Sequence, residues 1–452
     1  MQMSTLRHIR SGLAATLALG LVGTASEGQA SPTPPAYCES LDGAGFGAAG
    51  LQACNAALAS LESGPAQDSR RFALLQSRAL HRLATGDPAG ATADLDAAAS
   101  AALSLPPALK RGLEPGLMLA RALAARLGGD TPRCETLAMQ AFTARPFSRP
   151  FATAALTAMG PAARIESIEP VLRRLAQLDP ATAADLHRAL FEQGRSEQAL
   201  SVFPALTAMD IIRPEVMGRH AYSLAVLGRS GEAAEALKQM QGYLSAPSPE
   251  AQQWSRLTES RLLLNDKRFE DAVARLDAAS ASLPASYASV ELIEAFADQA
   301  PPGDRPDTKT FHAALERARR EAATVSVQRL AVALRQAEGN AGGAAAIIAA
   351  PETRLADGSL VISVQGPGLA EVEEAALLRA AQAARRTGAD AFVITSRRDI
   401  QKNAAAGGGF ESILTVRPTS AGSADIPAMT AWRLMYVEPV HATLEPAYGA
   451  GG

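Results

Sequence analysis

The residues able to do chemistry are few and scattered. Three cysteines (Cys38, Cys54, Cys134) and six histidines are the only soft metal ligands and imidazole bases in 452 residues. His8, His81, His187, His220, His312 and His441 stand singly. No His-x-x-x-His, Cys-x-x-Cys or His-Glu-x-x-His spacing brings two ligands onto one face, so a zinc site is not expected. Neither a Gly-x-Ser-x-Gly elbow nor a Gly-x-x-x-x-Gly-Lys-Ser/Thr phosphate loop occurs. The glycine-rich run "GAGFGAAG" (43–50) follows no strand pattern and lies between two cysteines, so it reads as a loop. Acidic residues are spread along helix faces without a dedicated pair. The expectation is a non-catalytic protein with no metal and no cofactor.

The cysteines carry a different message. Cys38 and Cys54 enclose the short segment 39–53, which a disulfide could close in an oxidising compartment; two separate buried thiols are the alternative. The first thirty residues agree with export. Arg7 and Arg10 precede an apolar stretch from Leu13 to Val22, and small residues lead to a cut after Ala30. That is the pattern of a secretory signal peptide (1–30), too short to span a bilayer stably, with an N-terminal anchor as the alternative. Cys38, in "PPAYC", is not in a lipidation context, and no later stretch suggests a membrane span. The expected location is periplasmic or secreted. A formal charge of −3 gives no electrostatic reason to expect nucleic acid as a partner.

Hydrophobic residues make up 47% of the chain and aromatics only 4%, a composition suited to packed helices rather than a β-sandwich. The helices are punctuated regularly. A small residue stands five positions after each of several turns: Ala91 after Gly86, Cys134 after Gly129, Ala199 after Gly194, Ala233 after Gly228 and Ala272 after Lys267. With a weaker unit around Ile168, the steps between markers are 43, 34, 31, 34 and 39 residues. Such a period predicts a solenoid of helical hairpins, with the small residue where the second helix of a pair crosses the first closely.

The segments "GDTPRCETLAMQAFTARP" (129–146) and "RFEDAVARLDAASASLP" (268–284) resemble tetratricopeptide repeats, with Ala or Cys five residues and Ala twelve residues after the turn and a closing proline. The resemblance covers residues 70–284. It implies a groove lined by the first helix of each repeat, into which the residue eleven before the small marker points. That position holds Leu80, Leu123, Arg188, Tyr222 and Arg261, with Arg126, Glu192 and Trp254 beside it. The partner-binding candidates are therefore Arg126, Arg188, Glu192, Tyr222, Trp254 and Arg261. Arg188, Tyr222 and Arg261 would suit a carboxylate, because guanidinium forks grip carboxylates and tyrosine adds a flat anchor. The Lys/Asn carboxylate clamp of the family is absent. The start of the chain, 53–98, resembles exported bacterial proteins in which a cysteine-containing helix precedes the first repeat.

Residues 31–69 then form a helical cap holding the two cysteines, and 285–338 form further helices expected to cap the solenoid. A linker (339–358) leads to a small α+β domain (359–440): strands at 359–366, 391–396, 411–418 and 431–439, and a helix at 370–388 stopped by Gly388. The loops 399–409 and 419–430 join these strands, and 441–452 reads as a disordered tail. "EAALLRAAQAARRTGADAFVIT" resembles the terminal domain of small proteobacterial envelope lipoproteins. The fold class is mainly α: a tetratricopeptide-like solenoid followed by a small α+β domain. The function it suggests is a periplasmic scaffold for protein or peptide partners of the cell envelope. The alternative is a small-ligand or stress sensor in the terminal domain, using Arg379, Arg385, Arg386, Trp432 and Tyr436, with the solenoid as spacer.

Overall fold

A computed structural model describes residues 34–449 apart from 42–44, 63, 65–66, 161–162, 209–210, 212, 244–248, 278–286, 307–326, 339–346, 403–408 and 421–431. The proposed signal segment, Pro284, Phe311 and Leu315 lie outside the described residues. Two short helices, α1 (Pro34–Cys38) and α2 (Ala48–Ala59), lead into six successive hairpins: α3 (Asp68–Ala84) with α4 (Pro88–Ala102), α5 (Pro107–Leu127) with α6 (Thr131–Ala144), α7 (Arg149–Met159) with α8 (Ile165–Leu178), α9 (Ala183–Glu192) with α10 (Ser196–Ala208), α11 (Pro214–Val226) with α12 (Ser230–Tyr243), and α13 (Pro249–Asn265) with α14 (Phe269–Asp277). The first helices pack on one another in two runs, α3–α5–α7 and α9–α11–α13, and the side of the array they form is called here the A face.

The turns explain the punctuation. Gly86, Gly129, Gly194, Gly228 and Lys267 all have positive φ, between 60° and 83°. In each, the following residue donates its N–H back to the end of the preceding helix, as Asp87 does to Arg82 O and Arg229 to Leu224 O. This glycine-type helix cap satisfies carbonyls that the helix end would leave open. Asp87 and Asp130 then cap the next helix, accepting from Gly90 N and Arg133 N. The small markers Ala91, Cys134, Ala199, Ala233 and Ala272 are all fully or almost fully buried. Cys134 packs there as a free thiol whose pKa burial pushes up to about 11.

Cys38 and Cys54 form a disulfide with Cα atoms 4.6 Å apart. It packs with Ala57 and Leu74, fastening α1 and α2 onto α3. Buried His81 on α3 completes the fastening: its Nδ1 accepts from Gly47 N at 3.1 Å, and its Nε2 donates to Cys38 O at 2.9 Å.

The described helices after the hairpins lie along the array rather than only at its end. α15 (Tyr287–Gln299) and α16 (Val327–Glu338) turn back and lie along the A face. α15 packs on α9, α11 and α13 through Ala288, Leu292 and Phe296, an i, i+4, i+8 stripe. α16 packs on α3, α5 and α7 through Leu330, Ala331 and Leu334. The expectation of terminal caps at 285–338 is thereby corrected for the two described helices, each of which has one apolar face and buries it on the A face.

The C-terminal domain is an antiparallel sheet ordered β1-β3-β5-β4-β6 with β2 also on β3. Its strands are β1 (Ile348–Ala349), β2 (Thr353–Arg354), β3 (Leu360–Gly366), β4 (Ala391–Gln401), β5 (Phe410–Thr419) and β6 (Met435–Tyr436). Two helices, α17 (Leu369–Arg386) and α18 (Val437–Tyr448), complete it. α17 covers one face of the sheet, where Leu360, Ile362, Val364, Leu414 and Val416 point inward. Gly388 ends α17 with φ 80°, as its position suggests.

Four boundaries differ from those expected of the sequence. The domain starts within the supposed linker, because β1 and β2 pair with β3. β4 runs on to Gln401 rather than ending at 396. The expected strand 431–439 is only Met435–Tyr436, and the expected tail is helix α18, pinned on α17 by Val437, Val440 and Leu444.

Candidate functional site

The six residues singled out for a groove are not one exposed surface. Arg126 caps the end of α7, donating from Nη1 to Ala158 O and Met159 O. Arg188 is exposed and pairs with Asp185 on its own helix at 3.1 Å. Trp254 is buried, edge-on to Phe191 at 5.7 Å, with the Arg219 guanidinium 5.8 Å above its ring. It sits directly on Gly218, where a Cβ would come within 2.2 Å of the indole.

The remaining three converge on α15. Glu192, at the end of α9, accepts the N–H of Tyr287, the first residue of α15, at 2.9 Å. A carboxylate there meets the positive end of the helix dipole. Tyr222, fully buried on α11, brings its hydroxyl to 2.6 Å from Glu291 Oε2 and 2.8 Å from Ala288 O. Arg261 on α13 donates from Nε to Glu291 Oε1 at 3.1 Å and from Nη1 to Asn265. Tyr222 and Arg261 thus hold one carboxylate between them, and that carboxylate belongs to the chain's own α15.

Electrostatics fix the roles. Burial, reinforced by the charge of Glu291, raises the Tyr222 phenol well above its ordinary value, so it stays protonated and donates. Burial raises Glu192 despite the Tyr287 N–H and nearby Arg219 and Arg188, which favour its charged form. Phe191 completes an aromatic cluster, edge-on to Tyr222 at 6.1 Å and to Tyr287 at 5.6 Å. Gly194, in the following turn, leaves room for the Tyr287 ring, which a Cβ would meet at 2.9 Å.

A second convergence joins the array to the C-terminal domain. Glu374 of α17 accepts from Arg145, from Arg111 Nη2 at 3.1 Å and from the Tyr448 hydroxyl at 2.7 Å. Its neighbour Glu373 accepts from the backbone N and the Nε of Arg149, and pairs with Arg397 of β4. Arg149 also reaches Asp179 and Asp399. Desolvation would raise the Glu374 carboxyl, but Arg145 and Arg111 hold it below its ordinary value. Glu371, with only a 3.6 Å approach to Arg145, is instead raised by burial.

Sequence reasoning missed Glu291 and the whole junction. Adjacent glutamates inside the apolar run "VEEAALL" (372–378) were the available signal: a buried acidic pair demands cationic partners. Of the residues considered for a ligand site in the terminal domain, Arg386 pairs with Glu352, and Arg379 lines a cleft of about 340 Å³ with Pro351, Glu352 and Ile362. Tyr436 is half exposed on β6. Trp432 lies outside the sheet, its carbonyl accepting from Gln177 Nε2 at 2.7 Å. Larger clefts open between α6 and α8 (about 570 Å³, with Glu135, Met139 and Arg164) and between α12, α13 and α14 (about 390 Å³, with Gln252, Arg256 and Arg275). None contains a residue singled out for the groove. Among the described residues no group of three or more His, Cys, Asp or Glu side chains is arranged to hold a metal ion, and no helix is long and apolar enough to cross a membrane.

No family model, curated protein or solved structure matches this chain.

Proposed function

We propose that the protein is an exported, non-catalytic scaffold of tetratricopeptide type that binds protein or peptide segments of cell-envelope partners on its A face. The observation that carries this reading is the grip of Tyr222 and Arg261 on the Glu291 carboxylate, together with Glu192 at the start of α15. A face that orients a helix by a charge-assisted bond at one point and an N-terminal contact at another has the means to select a helical ligand. The Cys38–Cys54 disulfide supports an oxidising compartment. The buried junction of Arg145, Arg149, Glu373 and Glu374 favours a single body over a terminal sensor on a spacer.

Crosslinking of the full chain in its native envelope, read by mass spectrometry, tests this. Partners are expected to crosslink near α9, α11 and α13, and to be lost in Tyr222→Phe/Arg261→Gln. Crosslinks confined to residues 347–449 would move the function to the terminal domain. A crosslink map no different from that of an unrelated exported protein would remove the scaffold reading.

A further inference from the structure

We infer that α15 is an internal occupant of a helix-receiving groove, and that the external partner is an amphipathic helix of the same pattern: an aromatic residue in the first turn, Glu four residues later, Leu next to it and Phe four residues after that. The inference rests on the proposed A-face binding and names its ligand class.

Three observations carry it. First, α15 lies across three helices of the A face, packing on α9, α11 and α13. The hairpins α9–α10, α11–α12 and α13–α14 each have their own small-residue crossing, at buried Ala199, Ala233 and Ala272. Second, the contact is a register and not merely a cover. Glu192 reads the helix start, Tyr222 and Arg261 read Glu291 one turn on, and Leu292 and Phe296 fill the apolar end. Burial of an apolar stripe needs none of these polar contacts, whereas recognition of helix direction and position needs all of them. Third, nine residues (278–286) separate α14 from α15 in the sequence, so α15 is covalently tethered to the face it occupies.

Exchange of one helix for another of like chemistry leaves no apolar surface wet at the end of the reaction. The barrier a partner must overcome is the effective concentration of the tethered helix, on the order of millimolar for a short connection. A free peptide at micromolar concentration therefore binds the wild-type chain poorly, and well once the tethered copy is weakened. Glu291→Lys places a cation beside Arg261, and Phe296→Ala empties the apolar end; neither changes the receiving face.

The test uses full-length protein and a labelled synthetic peptide of residues 286–300, followed by fluorescence anisotropy. The Glu291→Lys/Phe296→Ala chain is expected to bind the peptide at least about tenfold more tightly than wild type, the effect of losing one charge-assisted contact from the competitor. Adding Arg261→Gln to that chain, or Lys at the glutamate of the peptide, should remove the gain. Equal binding to the two chains, with helicity unchanged, would overturn the inference. Native-state hydrogen exchange on the wild type is a second, independent test that needs no variant. Amides of α15 should exchange about a hundredfold faster than those of α11 and α13, the mark of a separately opening segment. Exchange of α15 only together with α11 and α13 would make it an ordinary part of the core. The two readings fail differently: wild-type envelope crosslinks that lie away from α9, α11 and α13 would refute this groove while keeping a scaffold, and a wild-type chain with no specific crosslinks would refute the scaffold itself.

Discussion

Arg145 and Glu374, 229 residues apart in the chain, meet as a bidentate pair: Nε lies 3.0 Å from one carboxylate oxygen and Nη2 2.9 Å from the other, with both side chains almost completely closed to solvent. The guanidinium also covers the Phe151 ring at 4.9 Å. Such a pair gains little net stability over an apolar pair of the same volume, because both charges leave water. What it does is penalise any arrangement in which only one partner is present.

Arg145→Met alone should therefore destabilise the protein by about 3–5 kcal/mol, the cost of leaving a buried carboxylate without its main partner. Arg145→Met combined with Glu374→Leu should restore part of this, short of full recovery because Arg111 and Tyr448 also bond to Glu374. Urea unfolding of the two variants beside the wild type measures both. A single substitution costing less than about 1 kcal/mol, the range of exposed pairs, would mean the junction is open to water.

Acid should loosen the second half of the array before carboxylate protonation is complete. His187 is fully buried with neither ring nitrogen bonded, and burial, with Arg219 and His220 close by, pulls it down to about 3; His220, stacked on Phe203, is pulled down to about 4. The unfolded chain takes up these protons near 6.5 and the folded chain does not, so stability is intact above that pH. It falls by up to about 1.4 kcal/mol per pH unit for each histidine as pH drops toward the folded values. His187→Leu should flatten the pH dependence of the urea midpoint between about 6.5 and about 4. An unchanged slope would contradict the burial of His187.

The five helix caps allow an internally controlled comparison. Lys267 is the one position of the set that is not glycine, yet its φ is 60°. Lys267→Gly should raise stability by about 1 kcal/mol by removing left-handed strain. Gly228→Ala should cost a similar amount, since only strain opposes it and no atom lies within 4 Å of the added Cβ. Gly194→Ala should cost more than Gly228→Ala, because the methyl group also meets the Tyr287 ring. Thermal melts of the three variants are sufficient, and equal losses at 194 and 228 would place α15 farther from that turn.

Removing the Cys38–Cys54 bridge should cost about 3 kcal/mol on the chain-entropy account for a loop of this size. Cys38→Ser/Cys54→Ser, or reductant, should lower the melting temperature. Exchange should rise first in α1, α2 and the part of α3 around His81, which the bridge fastens together. An unchanged melt with two freely alkylated thiols would show the bridge unformed.

The hairpins were legible because their information is local. A residue at positive φ followed at five positions by a residue too small to hold two helices apart announces itself within a few residues, as at Gly228 and Ala233. Gly388 announced the end of α17 in the same way. The places of α15 and α16 were not legible, since an apolar stripe such as Ala288, Leu292 and Phe296 demands burial without saying against what. Helix α18 was obscured by its prolines. Pro439 falls in the first turn, where no N–H partner is needed, and Pro446 near the end, so neither breaks it. Repeat position and residue type mark Arg188, Tyr222 and Arg261 together as carboxylate readers, but Arg188 pairs with Asp185 of its own helix. The carboxylate itself, Glu291, required the fold.

The chain doubles back on itself: α15 and α16 return along the array, and α17 closes against α7 and the arginines around it. A stack of hairpins alone can be completed one unit at a time from its first residue. Here the A face stays wet until α15 and α16 have been made, and the buried guanidinium of Arg145 waits for a glutamate that emerges more than two hundred residues later. Truncation ahead of Tyr287 would therefore strip the lining from hairpins far upstream, and a newly made chain passes through an interval with that face uncovered.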